Sequence, residues 1–275
     1  MIIDTFPINN ELDMLEMRLE TMSPAVDYFI AVEADVDHQD HPKPYWISDN
    51  IGRFVKWADK LIIVQATGLP THEEDPDPWA RELAQREYVH DGLREINERV
   101  GLSPTDIVLH GDVDEICRPV YVRNVRPKAP LHPTILPDKT LDLGFVSFEQ
   151  RGHFFAVDWL HPEPWGGTVA GTLEQVAQIG QFQKMRNLRN WNPSKLHDAG
   201  WHFSWLGGRE AAMRKLGSFC HPEVAERTET GLKSDRYLRE GLHLDGRVMT
   251  PVEVNDEWPA YIVERRCPTE WFRPR

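Results

Sequence analysis

The chain has 275 residues, of which 40% are hydrophobic and 27% charged, and a formal net charge of −13 at pH 7. This is the composition of a globular protein, long enough for one large α/β domain or two small ones. The acidic balance argues against broad non-specific binding to nucleic acid or to an anionic membrane, and leaves room only for a local basic groove. Cys117, Cys220 and Cys267 are too few and too far apart for a metal knuckle or a disulfide framework. The first residues lack a basic segment followed by an apolar one, and no stretch reaches bilayer-crossing length. The expectation is a cytoplasmic protein with no membrane span.

In chain order, residues 2–6 read as a short first strand. Asn10 can cap a helix to residue 22, with Leu12, Leu15, Leu19 and Met22 at helical spacing, and Pro24 closes it. Residues 27–33 form a second strand that ends in Glu33. Residues 38–44 are a polar loop, 54–57 a helical turn and 60–65 a third strand. After an acidic, Pro-rich loop, Pro78 suits the first turn of one long helix to Val100, with a buried stripe of Trp79, Leu83, Val89, Leu93, Ile96 and Val100, ended by Gly101. Glu82 and Arg86 stand one turn apart on it.

Residues 107–109 are an apolar, β-branched run with the length of a buried strand. Gly111 turns the chain out of the sheet, and Asp112, Asp114 and Glu115 follow at once. Ligands in open α/β sheets sit beyond the carboxyl ends of the strands, so these acids crowd the mouth of such a crevice. Carboxylates this close repel one another unless a cation lies between them. A divalent metal carrying a diphosphate is the natural candidate, because Mg²⁺ or Mn²⁺ takes hard oxygen ligands and bridges to phosphates. The plain alternative is a solvated turn, since the chain holds 44 acidic residues.

The second half begins with a Pro-rich connection over residues 126–138. Residues 141–148 and 153–158 look like a strand pair, and the Trp-, Pro- and Gly-rich stretch 159–171 reads as a binding loop. There are ten Trp; aromatic platforms suit sugar rings or bases, and the alternative is a Trp-rich core. The basic run 184–189 can face a phosphate or an acceptor, or be a solvated helix face. Residues 201–205 are a strand, Gly207 and Gly208 break it, and a helix with Met213, Leu216 and Phe219 inward follows. Residues 231–242 are expected helical and 251–275 irregular. Strands and helices alternate in the first half, which argues for a mostly parallel sheet with helices on its faces. One domain over 1–275 is expected, with a nucleotide-sugar half (1–125) and an acceptor half (126–275).

These blocks resemble glycosyltransferase family 17. Asp4-x-Phe6, then Asn10-Glu11-Leu12-Asp13-x-Leu15-Glu16-x-Arg18-Leu19, is similar to the family's opening, as is Val26-Asp27-Tyr28-Phe29 running to Val32-Glu33. Glu82-x-x-x-Arg86, Asp112-Val113-Asp114-Glu115-Ile116, Ala199-Gly200-Trp201-His202-Phe203-Ser204 and Lys215-Leu216-x-Ser218-Phe219-x-His221-x-Glu223 continue the likeness in order. It covers roughly residues 1–225. The resemblance implies a GT-A-like α/β nucleotide-sugar fold with a mostly parallel central sheet and helices on both faces, a UDP-sugar donor, a divalent metal (Mn²⁺ or Mg²⁺) and inversion at the anomeric carbon. The transferred sugar would be N-acetylglucosamine or a related hexose, and the acceptor a hydroxyl of a glycan or another molecule. Animal members carry a membrane anchor, which is not expected here, and no block after Glu226 matches.

On that reading Asp114 is the main metal ligand, Asp112 a metal ligand or ribose contact, and His202 and His221 further metal or diphosphate contacts. Arg86 assists the diphosphate. Asp4, Phe6, Asn10 and Glu11 hold the base and ribose at the end of the first strand, with helix capping the alternative for Asn10. Glu210, opening a helix after Gly207-Gly208, is the expected general base, with Glu149, Asp158 and Glu174 as rivals. Two other classes stay open: a metal-dependent phosphohydrolase using the same acids, and a non-catalytic carbohydrate-binding protein built on the Trp-rich stretches.

Overall fold

The computed structural model describes residues 1–128, 142–218 and 236–274. The first strand, β1 (Ile2–Pro7), lies between β2 (Tyr28–Ala34) and β4 (Ile107–His110), parallel to both, and β3 (Leu61–Ala66) extends the parallel set beyond β2. These strands are buried on both faces, which is why they read as continuous apolar runs. Alternate residues of β2 serve opposite layers: Phe29 and Ala31 pack with Met14, Leu15 and Leu19 of α1 (Leu12–Met22). Ile30, Val32 and Ala34 pack with Val89, Leu93 and Ile96 of the helix on the other face. Helices therefore cover both faces, as the alternation of elements required.

The expected long helix is two. Helix α3 (Ala80–Glu87) stops and α4 (Val89–Val100) starts at Tyr88, after the short helix α2 (Trp46–Asp49) and a 3₁₀ turn (Ile51–Trp57) earlier in the chain. The break separates two different faces. The inward side of α3 is polar, with Arg81, Gln85 and Arg86 buried, whereas α4 buries Val89, Leu93 and Ile96 and leaves Val100 exposed. Gly92 lets α4 approach the sheet, since a Cβ there would meet Ile30 Cγ2 at 2.5 Å.

Beyond β4 the sheet becomes mixed, with both antiparallel and parallel pairs. The strand β5 (Glu115–Cys117) and helix α5 (Pro119–Asn124) lead to β6 (Val146–Phe154), one continuous strand where two were expected. The expected break between those two, Glu149-Gln150-Arg151-Gly152, instead pairs with β8 (Trp165–Thr172) and β10 (Gly200–Ser204), while Ser147 and Phe148 pair with β9 (Lys195–Leu196). The expected Trp-rich binding loop is instead mostly strand, β7 (Trp159–Leu160) and then β8. The main path through the sheet runs β11-β7-β6-β8-β4-β1-β2-β3, with β11 at Thr250–Pro251. Helices α6 (Leu173–Ile179), α7 (Phe182–Trp191) and α8 (Gly208–Ser218) complete the site's surroundings. Phe219 lies outside the described residues, and in α8 only Ala212 is buried. The expected helix over 231–242 is seen as Arg236–Arg239. The irregular end is packed, not loose: Trp258, Tyr261 and Trp271 join the same core as α1. Among the described residues no helix is long and apolar enough to cross a membrane.

Between β1 and the acids sits a buried ion pair. Arg18 of α1 meets both oxygens of Asp4, at 2.7 and 2.8 Å, and both side chains are fully buried. The same guanidinium donates to the carbonyls of Asp112 (2.8 Å), Val113 (3.2 Å) and Glu115 (2.7 Å) and stands over the Phe6 ring. Removing one partner strands the other charge, so Asp4→Ala is expected to lose about 3–5 kcal/mol of unfolding free energy. Urea titration measures it; a loss below 1 kcal/mol would mean that Arg18 is held by the carbonyls alone.

Candidate active site

Because β1, β2 and β4 are parallel, their carboxyl ends face one way, and a cavity of about 660 Å³ opens there. Pro7, Ile8 and Asn9 follow β1, Val36 and His38 follow β2, and Asp112 and Asp114 follow β4. The opposite wall comes from the second half of the chain, through Phe154, Trp165, Arg186, His202, Ser204 and Lys215.

The loop after β4 is folded tightly enough to need Gly111. A Cβ there would lie 2.5 Å from Thr168 Oγ1 and 2.6 Å from Glu115 Oε2. Each acid then meets a different partner. Asp112 accepts from Arg86 at 2.6 Å on one oxygen and from Arg186 at 2.7 Å on the other. Arg86 also bonds Glu82 at 2.7 Å. Glu115, fully buried, accepts from Trp165 Nε1 at 2.7 Å and pairs with Arg186. Asp114 faces Lys215 Nζ at 3.4 Å and His202 Nε2 at 3.5 Å, and among the described residues its buried Oδ1 has no hydrogen-bond partner. The His202 ring stacks on Trp165 at 4.2 Å, over which Arg189 also stands.

Burial alone would raise these carboxyls. For Asp112, Arg186 and Arg86 outweigh it and hold the group well below the usual carboxylate range. For Asp114, Lys215 and then His202 do the same. Burial, followed by the repulsion of Arg186, brings Arg189 down to about 10. His110 is buried at the end of β4. Thr5 Oγ1 donates to Leu109 O at 2.8 Å, so it accepts the Nδ1–H of His110 at 2.9 Å, which leaves Nε2 to face Arg86 at 3.4 Å. Burial, then Arg86 and Arg186, push the His110 pKa well below its usual value.

The profile of glycosyltransferase family 17 matches residues 1–237. The chain belongs to glycosyltransferase family 17. It is similar to the beta-1,4-mannosyl-glycoprotein 4-beta-N-acetylglucosaminyltransferase of Homo sapiens, 24% identical over 245 residues, covering 79% of this chain and 43% of that protein. The Rattus norvegicus counterpart is also 24% identical over 245 residues, covering 79% and 42%. The chain thus spans less than half the length of these relatives. Among solved structures, 4-diphosphocytidyl-2C-methyl-D-erythritol synthase aligns with TM-score 0.38 at 11% identity, over 71% of this chain and 88% of that one. The galactosyltransferase LgtC, in complex with donor and acceptor sugar analogs, aligns with TM-score 0.32 at 10% identity, over 69% and 63%.

Of the three classes left open by the sequence, membership of family 17 falls with the first. The structure brings together Asp112, Asp114, Arg86, His202 and Glu11 at one cavity. It does not bring Asp4 and Phe6 there: both are fully buried around Arg18, with no surface left for a base or ribose. Asn10 is exposed, and it does not cap α1; the residue before the helix is Glu11, whose carboxylate accepts from the backbone N–H of Asn9 and Asn10 at 3.0 Å each. Glu210 lies on the exposed first turn of α8 and is absent from the cavity wall. His221 lies outside the described residues. Of the rivals, Asp158 is tied to Arg273 at 2.9 Å and Glu174 is exposed on α6. Glu149 lines a second cavity, of about 310 Å³, that shares Arg189 with the first. Arg186, Arg189, Lys215 and Trp165 were given no individual role from sequence, and Glu115 only a place among the crowded acids. The basic run and the matched Lys215 block were the available signals.

Asp114 and His202 fit a divalent cation, since a carboxylate oxygen unpartnered among the described residues and an imidazole nitrogen lie side by side. Asp112 fits it less well than expected, because each of its oxygens already accepts from an arginine.

The histidines give a testable pH dependence. His110 and His153 both have depressed values, the latter about 3 through burial and the repulsion of Arg151. Below their ordinary value of 6.5 the unfolded chain takes up protons that the folded chain refuses. Stability is therefore full above that value and falls as pH drops below it, by up to about 1.4 kcal/mol per pH unit for each group. The urea midpoint should decrease from pH 7 to pH 5, and His110→Gln should shrink the decrease. An identical decrease in the variant would show that His110 titrates normally.

Proposed function

We propose that this chain transfers N-acetylglucosamine, or a related hexose, from a UDP-sugar to a hydroxyl of a glycan or other acceptor, with inversion at the anomeric carbon. One observation carries the reading: a buried, ionised carboxylate with an oxygen left unbonded by the described residues, Asp114 Oδ1, lies in the wall of a cavity at the carboxyl ends of three parallel strands, beside Lys215 and His202. Family membership supplies the chemistry that such a cavity serves.

In this reading the nucleoside lies against Pro7, Ile8, Asn9 and Val36, and the diphosphate reaches toward Lys215 and Arg189. Asp114 and His202 would hold Mn²⁺ or Mg²⁺; when bound, the ion neutralises charge on the leaving diphosphate. Lys215 is kept protonated by Asp114, against the opposing effect of burial, and adds fixed positive charge where negative charge grows. Phe154 and Trp165 offer apolar and aromatic surface to the sugar. Arg86 and Arg186 hold Asp112 and so fix the loop. The acceptor hydroxyl needs a carboxylate to take its proton. Glu149 has that role here in place of Glu210, because its cavity adjoins the donor cavity at Arg189, and its carboxylate is oriented by His197 at 2.8 Å.

UDP release from a panel of UDP-sugars tests the donor, with a mannosyl glycopeptide as the first acceptor because the similar proteins are named for one. Asp114→Asn should lower turnover about 10²–10³-fold in a folded protein. Undiminished turnover would overturn the assignment. Glu149→Gln should lower kcat and leave the donor KM unchanged, and Glu210→Gln should leave both unchanged. The reverse pattern would return the base to Glu210.

A further inference from the structure

A second cluster of ligating atoms lies behind the donor cavity, on residues 161–245. His161, just after β7, is almost fully buried, and His243 and Asp245 belong to a tight turn closed by His243 N–H to Arg247 O at 2.8 Å. One atom from each of the three, His161, His243 and Asp245, lies within 4.8 Å of the others. His161 Nε2 is 3.2 Å from one Asp245 oxygen and His243 Nδ1 is 2.9 Å from the other. The two rings meet edge to face at 4.6 Å, and both pack on Phe154, at 5.6 and 4.4 Å. An apolar wall of this kind keeps water from a metal centre.

Both rings turn a nitrogen toward the carboxylate. His161 Nδ1 lies 3.0 Å from the Glu163 carbonyl and accepts the Glu163 N–H at 3.2 Å, and Nε2 is the ring nitrogen turned to Asp245. Asp245 accepts from the Arg247 N–H at 2.9 Å and pairs with the Arg247 side chain at 3.2 Å, and its own backbone N–H donates to His243 Nδ1 at 3.4 Å. The same guanidinium nitrogen pairs more closely with Glu163, at 2.6 Å.

We propose that His161, His243 and Asp245 form a zinc site, with water in a fourth position, that ties the turn 242–248 to the end of β7. Two imidazoles and one carboxylate suit Zn²⁺ better than Mg²⁺ or Ca²⁺, which take oxygen ligands. The site lies apart from Asp114 and His202: Phe154 stands between them, 5.3 Å from the His202 ring. Its two turn ligands lie beyond the residues matched by the family profile.

The test uses the full chain, stripped with chelator, exposed to ZnCl₂ without nucleotide or manganese, desalted and measured by elemental analysis and thermal unfolding. The expected result is one retained zinc per chain and a raised Tm. Asp245→Asn, a change at a partly exposed position, and His243→Gln should each weaken zinc binding by at least about tenfold in a folded protein. Asp114→Asn should retain the zinc, which separates this site from the donor cavity. A folded wild type that retains none, or variants at 243 and 245 that retain it undiminished, would overturn the proposal and leave a hydrogen-bonded His–Asp–His network.

Discussion

A fully buried arginine sets the position of the acid loop. Arg18 cannot be stably buried alone, so Asp4 faces it from the next element of the sheet. The guanidinium has five N–H donors, and the pair with Asp4 uses only part of that capacity. The remainder holds three carbonyls of the loop after β4. The direction in which Asp112, Asp114 and Glu115 leave the sheet is thus fixed by a charge on a helix almost a hundred residues earlier. Gly111 permits the close fold that this requires.

The acids then divide by partner. Two of them are consumed internally: Asp112 by Arg86 and Arg186, and Glu115 by Arg186 and Trp165. Such pairs are costly to bury and are most easily understood as fixing one arrangement, a role that charged networks have in some proteins. Asp114 is different. It is equally ionised, yet one oxygen has no hydrogen bond among the described residues, and its neighbours Lys215 and His202 come from the far half of the chain. The chemistry proposed above rests on that difference.

Much of this was legible in the sequence. The strands with apolar runs, the acids at the carboxyl end of β4 and the helical stripe of α4 all follow from periodicity and composition. What failed did so for physical reasons. Asp4 and Phe6 were read as ligand contacts because they end a strand, but the partner that buries them, Arg18, lies on a helix face whose contacts periodicity does not reveal. The middle of β6 looked like a break because its polar residues face other strands and not water, and Gln150 is in fact buried. Helix α3 seemed to continue α4 because a helix with a polar inner face has no apolar stripe to mark its end. Arg186 was hidden in a basic run that could equally have been solvated.

A structure of the chain with UDP and Mn²⁺ bound tests the central claim most directly. The account predicts the diphosphate in the cavity of about 660 Å³, with Asp114 on its metal and Lys215 at its oxygens, and the Arg18-held loop unmoved. UDP bound outside that cavity, or inside it with Asp114 turned away from the diphosphate, would contradict it.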